Sequence, residues 1–245
     1  MVVLIGILAL SVSVANATTT TVTATFTGVK NAKAVHLKYG SQNLYVWAGL
    51  YEFEKQSMSP SSDENPAFYM GDEFGGYCID IDQRISFDQT VIWTLKPLEE
   101  APVVNGFGSA MGTDKATLLS RLWGSYFGNP NSAEFQVAVW ELLAENDNVY
   151  DVRSGQATSG RFYATSDNEV DRGMINTWLA AITISDYNGP EASVIWALTN
   201  GCAQDFAVLI ETGGQPPVPE PLTVAGLLMG CGFAVRYARK RASVR

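Results

Sequence analysis

The chain has 245 residues, 47% of them hydrophobic, with 25 acidic against 16 basic side chains and a formal net charge of −9. Such a surface repels nucleic acid and anionic lipid and attracts cations and amines. The chain holds 1 histidine, His36, which excludes a histidine-rich metal centre and leaves a Ser-His-Asp hydrolase a poor reading.

Residues 1–17, MVVLIGILALSVSVANA, carry no charge. Val2 to Leu10 has the length of a secretory apolar region, and Ala15-Asn16-Ala17 supplies the small-x-small cleavage pattern, although the usual basic start is missing. The pattern predicts a signal peptide over 1–17 and an exported protein. The body of the chain, 18–211, is long enough for one domain with a real core.

TTTVTATFTGV at 19–29 alternates and is rich in Thr and Val, as strands are. Ala34 to Tyr39 and Asn43 to Phe53 read as two more strands, and the polar stretch 54–73 as a loop. GGYCIDIDQ from Gly75 to Gln83 reads as a strand in which Tyr77, Ile79 and Ile81 face one way and Cys78, Asp80 and Asp82 the other. Thr90 to Leu95 is a further strand.

The hydrophobic period changes after Pro102. Asp114 to Phe127 fits a helix with Leu118, Leu122 and Tyr126 on one stripe. Ser132 reads as the N-cap of a second helix, Ala133 to Glu145. Residues 148–166 are polar, with room for a short hairpin. Asp167 to Ile182 reads as a third helix, and Val194 to Leu198 and Phe206 to Glu211 return to strand. The order strands, helices, strands predicts an α+β fold: a β-sandwich or barrel with a helical insertion over about 112–183.

Two features of this body point to chemistry. In the second helix Gln136 shares a face with Val139 and Trp140, three and four positions on. A buried amide without a partner costs about 1–3 kcal/mol, so something must satisfy it, a backbone group or a chemical partner. The second feature is the cysteine count. Cys231 lies in a C-terminal apolar run, leaving Cys78 and Cys202 in the exported domain. In an oxidising compartment the default is that they pair. Asp80 and Asp82 as a metal site is a weaker reading, since two carboxylates along a strand are usually a solvated face.

The chain ends in three parts: a Gly/Pro linker at 212–217, then Val218-Pro219-Glu220-Pro221, then an apolar run from Leu222 to Val235 closed by Arg236, Arg239, Lys240 and Arg241. The run is shorter than the ~20 residues that cross a bilayer comfortably, and the basic cluster would stay on the cytoplasmic side. Residues 18–218 hold 24 acids against 11 bases, a net of −13.

This end, 218–245, resembles the PEP-CTERM sorting signal, with Pro219, Glu220 and Pro221 as its motif. The resemblance implies a single transmembrane sorting tail read by an exosortase, transient inner-membrane anchoring, and a cell-surface or extracellular-matrix destination. It further implies a Gram-negative-type bacterium that makes exopolysaccharide.

Tyr77-Cys78-Ile79-Asp80 and Phe135-Gln136-Val137-Ala138-Val139-Trp140 together resemble the bacterial thioester domain family of surface adhesins, over roughly 40–211. That resemblance implies an internal thioester between the Cys78 sulfur and the Gln136 side-chain carbonyl, shielded from water by Tyr77, Trp140 and Trp93, with Asp80 helping an incoming amine. It implies covalent adhesion to an amine-bearing protein or matrix polymer, with no cofactor, no metal, no nucleic-acid partner and no enzymatic turnover. The alternative is a non-covalent structural protein of the extracellular matrix, stapled by a Cys78–Cys202 disulfide.

Overall fold

The structure is a computed structural model that describes residues 19–102, 110–128, 130–145, 148–153, 162–165, 169–192 and 194–210. The expected signal peptide at 1–17, the linker at 212–217 and the sorting motif Pro219, Glu220 and Pro221 lie outside the described residues. Among the described residues no helix is long and apolar enough to cross a membrane.

Seven strands form the sheet: β1 (Thr21–Tyr39), β2 (Gln42–Ser59), β3 (Glu73–Cys78), β4 (Thr90–Pro97), β5 (Phe162–Ala164), β6 (Ile195–Thr199) and β7 (Phe206–Leu209). The hydrogen-bonded order is β2-β3-β7-β6-β4-β1-β5, and β2 also pairs with β1. Every pairing between these strands is antiparallel. The β1–β2 pairing closes the order on itself, so six strands make a ring and β5 extends it at the far end of β1. This is the barrel form of the expected α+β class.

The interior of the ring is aromatic. Phe53 stands edge-on to Trp93 and Phe206, with ring centroids 5.4 and 4.9 Å away, and Tyr51 lies 5.1 Å from Phe206. Phe53, Trp93 and Phe206 are fully buried. Aromatic pairs at these spacings add to the stabilisation from area burial alone.

Two expected strands, 19–29 and 34–39, are one. The polar Lys30-Asn31-Ala32-Lys33 stretch does not break β1. The register against β2 shifts there, and Asn31 takes φ 50°, a bulge that bends the strand without ending it. Likewise β2 runs on to Ser59, so only the later part of the expected 54–73 loop lacks regular strand. The third correction is β3, which ends at Cys78 rather than Gln83. Beyond it the Asp82 amide donates to Asp80 Oδ1 at 3.1 Å, a side-chain turn that competes with the ladder.

The insertion between β4 and β6 holds α1 (Gly112–Tyr126), α2 (Ser132–Ala144) and α3 (Arg172–Ile182). The face of α1 turned to the core is Leu119, Leu122 and Trp123, one residue on from the expected stripe through Leu118, Leu122 and Tyr126. Trp123 moves it, by packing edge-on against Tyr77 and Phe135 at 5.4 and 5.5 Å. Ser132 begins α2 as a helical residue, with Asn131 at the cap. α3 starts later than Asp167 because Asp171 caps it, accepting from the Met174 amide at 2.9 Å, as an N-cap aspartate does.

All 13 residues of α2 are buried. A helix buried all round is a core element rather than a surface one. Its carboxylates therefore need internal partners. Glu134 accepts from Lys33 Nζ at 2.6 Å and the Asp171 amide at 3.2 Å. Glu141 accepts from the Asp151 amide at 2.7 Å, and Glu145, just past the helix, from the Phe162 amide at 3.1 Å. These bonds fasten the loops of the insertion around α2.

One glycine shows how closely the insertion is packed. Inside a helix, replacing Gly by Ala ordinarily stabilises by about 1 kcal/mol. At Gly124 of α1 an added Cβ would lie 2.5 Å from the Pro190 carbonyl oxygen and 2.9 Å from the Ala192 nitrogen. Both are backbone atoms. We expect Gly124→Ala to lower the urea midpoint instead of raising it; a stabilised variant would contradict this packing.

Candidate functional site

β3 pairs with β2 only as far as Tyr51↔Gly76, two residues short of Cys78. On its other side β3 pairs with β7, through Cys78↔Phe206, and the Ile79 amide donates to the Asp205 carbonyl at 2.9 Å. The Cys78 N–H and C=O therefore face the side that β2 has left. A buried backbone pair without partners is costly.

Gln136 supplies both partners. The Cys78 amide donates to Gln136 Oε1, and Gln136 Nε2 donates to the Cys78 carbonyl, each at 2.8 Å. The carboxamide thus takes the place of a neighbouring strand at this residue. This accounts for the amide on the apolar helix that the sequence left to be satisfied. Cys78 and Gln136 are brought together as expected, but through the cysteine backbone.

The sulfur has other neighbours. Gln204 Nε2 donates to Cys78 Sγ at 2.9 Å, and Trp140 Nε1 donates to it at 3.4 Å. The thiol itself donates to the Asp80 carbonyl at 3.2 Å. Strand register explains Gln204. The antiparallel ladder that sets Cys78 opposite Phe206 and brings Ile79 to Asp205 places Gln204 beside Asp80. Gln204 Nε2 donates to the Asp80 backbone carbonyl at 3.3 Å, and Trp93 Nε1 donates to the Gln204 backbone carbonyl at 3.1 Å.

Gln204 was missed by sequence reasoning. A Gln-Asp pair precedes the apolar run FAVL, but nothing local ties Gln204 to sulfur, since its nearness follows from the β3–β7 register. Both residues are buried, Gln204 at 7% exposure and Asp205 at 0%.

Tyr77, Asp80 and Trp140 all lie at the site. The Tyr77 ring stacks at a tilt on Phe135, 4.3 Å away, and closes the side toward α1 and α2. Trp93 is fully buried and acts on Gln204 rather than on sulfur. Burial pushes the Cys78 thiol up to about 12, against the donors from Trp140 and Gln204, which act in the other direction. At neutral pH the sulfur is a thiol.

Asp80 is buried and one of its oxygens, Oδ2, has no hydrogen-bond partner among the described residues. Burial, followed by the nearby Asp205 carboxylate, pushes the Asp80 carboxyl up to about 7. It exchanges its proton near neutrality beside the thiol.

The expected alternative, a Cys78–Cys202 disulfide, is not made. Cys78 is free and buried, and Cys202 is free and exposed. Cys202 sits in a turn where its amide donates to Asn200 Oδ1 at 2.7 Å, while the Cys78 sulfur is engaged by the Gln204 amide, the Trp140 indole and the Asp80 carbonyl. Among the described residues no three metal-binding side chains cluster.

A cleft of about 430 Å³ is lined by Gln204 and Trp140 at its floor and by the outer part of β2 and residues 81–85 at its walls. No family model matches the chain, and no curated protein or solved structure matches it.

A raised carboxyl means that the folded protein holds the Asp80 proton more tightly than the unfolded chain does. The matching stability is complete below the ordinary carboxylate range and is lost as pH climbs through about 7. Asp80→Asn keeps a side-chain oxygen for the Asp82 amide and removes the titration. The thermal midpoint of the wild type should therefore fall relative to Asp80→Asn between about pH 5 and about pH 8; parallel profiles would contradict the assigned titration of Asp80.

Proposed function

We propose that this is a covalent surface-binding protein, armed by an internal thioester on Cys78 Sγ whose acyl partner is the side-chain carbonyl of Gln204 in place of the expected Gln136, because the Gln136 carboxamide is engaged by the Cys78 backbone and clamps it. The observation that carries the reading is the 2.9 Å contact between Gln204 Nε2 and Cys78 Sγ inside a water-poor site. The reacting carbonyl carbon is one bond away from that nitrogen.

The thiol adds to Gln204 Cδ, a C–S bond forms, and the C–N bond breaks. The proton on sulfur goes to the departing nitrogen, which leaves as ammonia. An amide is ordinarily inert to a thiol, so orientation must supply most of the drive. Here both reactants are held. The Cys78 backbone is fixed by Gln136 on one side and β7 on the other. Gln204 is fixed by Trp93 and the Asp80 carbonyl. The thiol donates to the Asp80 carbonyl and the Gln204 nitrogen donates to sulfur, so the sulfur proton passes to that nitrogen after addition to Cδ has freed the nitrogen lone pair.

The product is an acyl sulfur, an activated electrophile. A neutral amine of a partner adds to Cδ, the C–S bond breaks, and the proton shed by nitrogen returns to sulfur. The result is an amide bond between Gln204 and the partner, and a free Cys78 thiol. Tyr77 and Trp140 exclude water that would otherwise hydrolyse the thioester. Asp80, next to the reacting pair through its backbone carbonyl and ionised above about pH 7, supplies negative charge that favours an arriving ammonium.

The C-terminal pattern through Pro219, Glu220 and Pro221 supports an exported protein, processed by an exosortase at the membrane and destined for the cell surface or matrix. Its partner there is an amine-bearing protein or matrix polymer. The acidic domain favours cationic partners, an attraction that salt screens.

The purified protein should be lighter than its sequence mass by one ammonia, and a phosphine reductant, which opens disulfides but not thioesters, should not change that. Cys78→Ala should restore the full mass. Full mass in the wild type, freshly isolated, would remove the proposal.

A further inference from the structure

Among the described residues Cys78 and Gln136 are wholly buried, Trp140 is 1% exposed and Gln204 7%, and the cleft touches the reacting pair at Gln204. The walls carry Tyr45, Trp47, Asp82 and Arg84. Tyr45 and Trp47 are 67% and 58% exposed. They stand two residues apart on β2, so their side chains leave the same face of the strand.

Neither aromatic is loose. The Tyr45 ring lies 4.5 Å from the His36 ring across the β1–β2 pairing. The Tyr51 hydroxyl donates to the Trp47 carbonyl at 3.1 Å and fixes that part of the strand. Tyr45 and Trp47 are exposed aromatics that line the cleft and have no part in the core.

We infer that this cleft is the entrance for the amine, and that Tyr45 and Trp47 select a primary ammonium carried on an unbranched aliphatic stem. The inference rests on the thioester reading for its chemistry and on the cleft for its specificity. Aromatic faces attract an ammonium through their quadrupole and cover the methylenes behind it. Asp82 is an exposed carboxylate at the same rim, and Arg84 beside it disfavours a guest with a second positive charge. A cleft of about 430 Å³ lies in the ~300–1,000 Å³ range of small-molecule sites, and methylamine would leave most of it empty. The bound ammonium gives its proton to water before it attacks.

The test compares opening of the thioester by methylamine and by n-pentylamine, read as mass gain against time. The wild type should react several-fold faster with n-pentylamine at equal free amine. Trp47→Ala should erase about fivefold of that preference, because the indole covers a stem that methylamine lacks, whereas both amines lose the cation–π attraction in common. Equal rates for both amines in the wild type, or an equal slowing of both in Trp47→Ala, would overturn the inference. A second measurement separates it from the thioester itself. In Cys78→Ala, which forms no thioester, n-pentylammonium should shift the Trp47 indole N–H resonance, assigned by its loss in Trp47→Ala. That shift without any ammonia loss in the wild type would retain the cleft and discard the thioester; its absence would discard the cleft.

Discussion

The structure depends on one pair of hydrogen bonds, the two by which the Gln136 carboxamide completes the ladder at Cys78. β2 has diverged at this point, and the cysteine's backbone would otherwise be buried and unpaired. Each such bond contributes about 1 kcal/mol net, but losing the partner of a buried group costs more. The amide comes from a helix, so α2 must lie against the open edge of the barrel. That placement is why α2 is buried on every side, and why Glu134, Glu141 and Glu145 turn back to hold the loops of their own insertion.

The same divergence creates the cleft. Where β2 leaves β3, the barrel has a gap whose floor is Trp140 and Gln204 and whose outer wall is Tyr45 and Trp47. One departure from regular pairing thus presents the cysteine, requires the clamp and opens a route to solvent. Two amides meet at one cysteine with distinct tasks: Gln136 bonds its backbone, and Gln204 its sulfur.

Much of this was legible in the sequence. The switch from a period of two to a period near four after Pro102 marks the insertion, and its three helices fall within a few residues of their expected bounds. The amide at Gln136 is visible as a polar group on an apolar helix. The reading of Gln136 as an ordinary core amide bonded to backbone describes what it does. Gln204 was not legible, because its nearness to sulfur follows from the β3–β7 register, and strand pairing over more than a hundred residues leaves no local pattern. Cys202, two positions earlier, drew the disulfide reading instead. Burial of α2 on all sides does not follow from its sequence, because glutamates are almost never fully buried unless partners outside the helix satisfy them.

The central claim is that Cys78 and Gln204 exchange an ammonia for a C–S bond while Gln136 stays an amide. Peptide mapping of the protein after treatment with methylamine tests it directly. The expected products are a methylamide on Gln204, a free thiol on Cys78 and an unmodified Gln136. A methylamide on Gln136, or none on either glutamine, would contradict it.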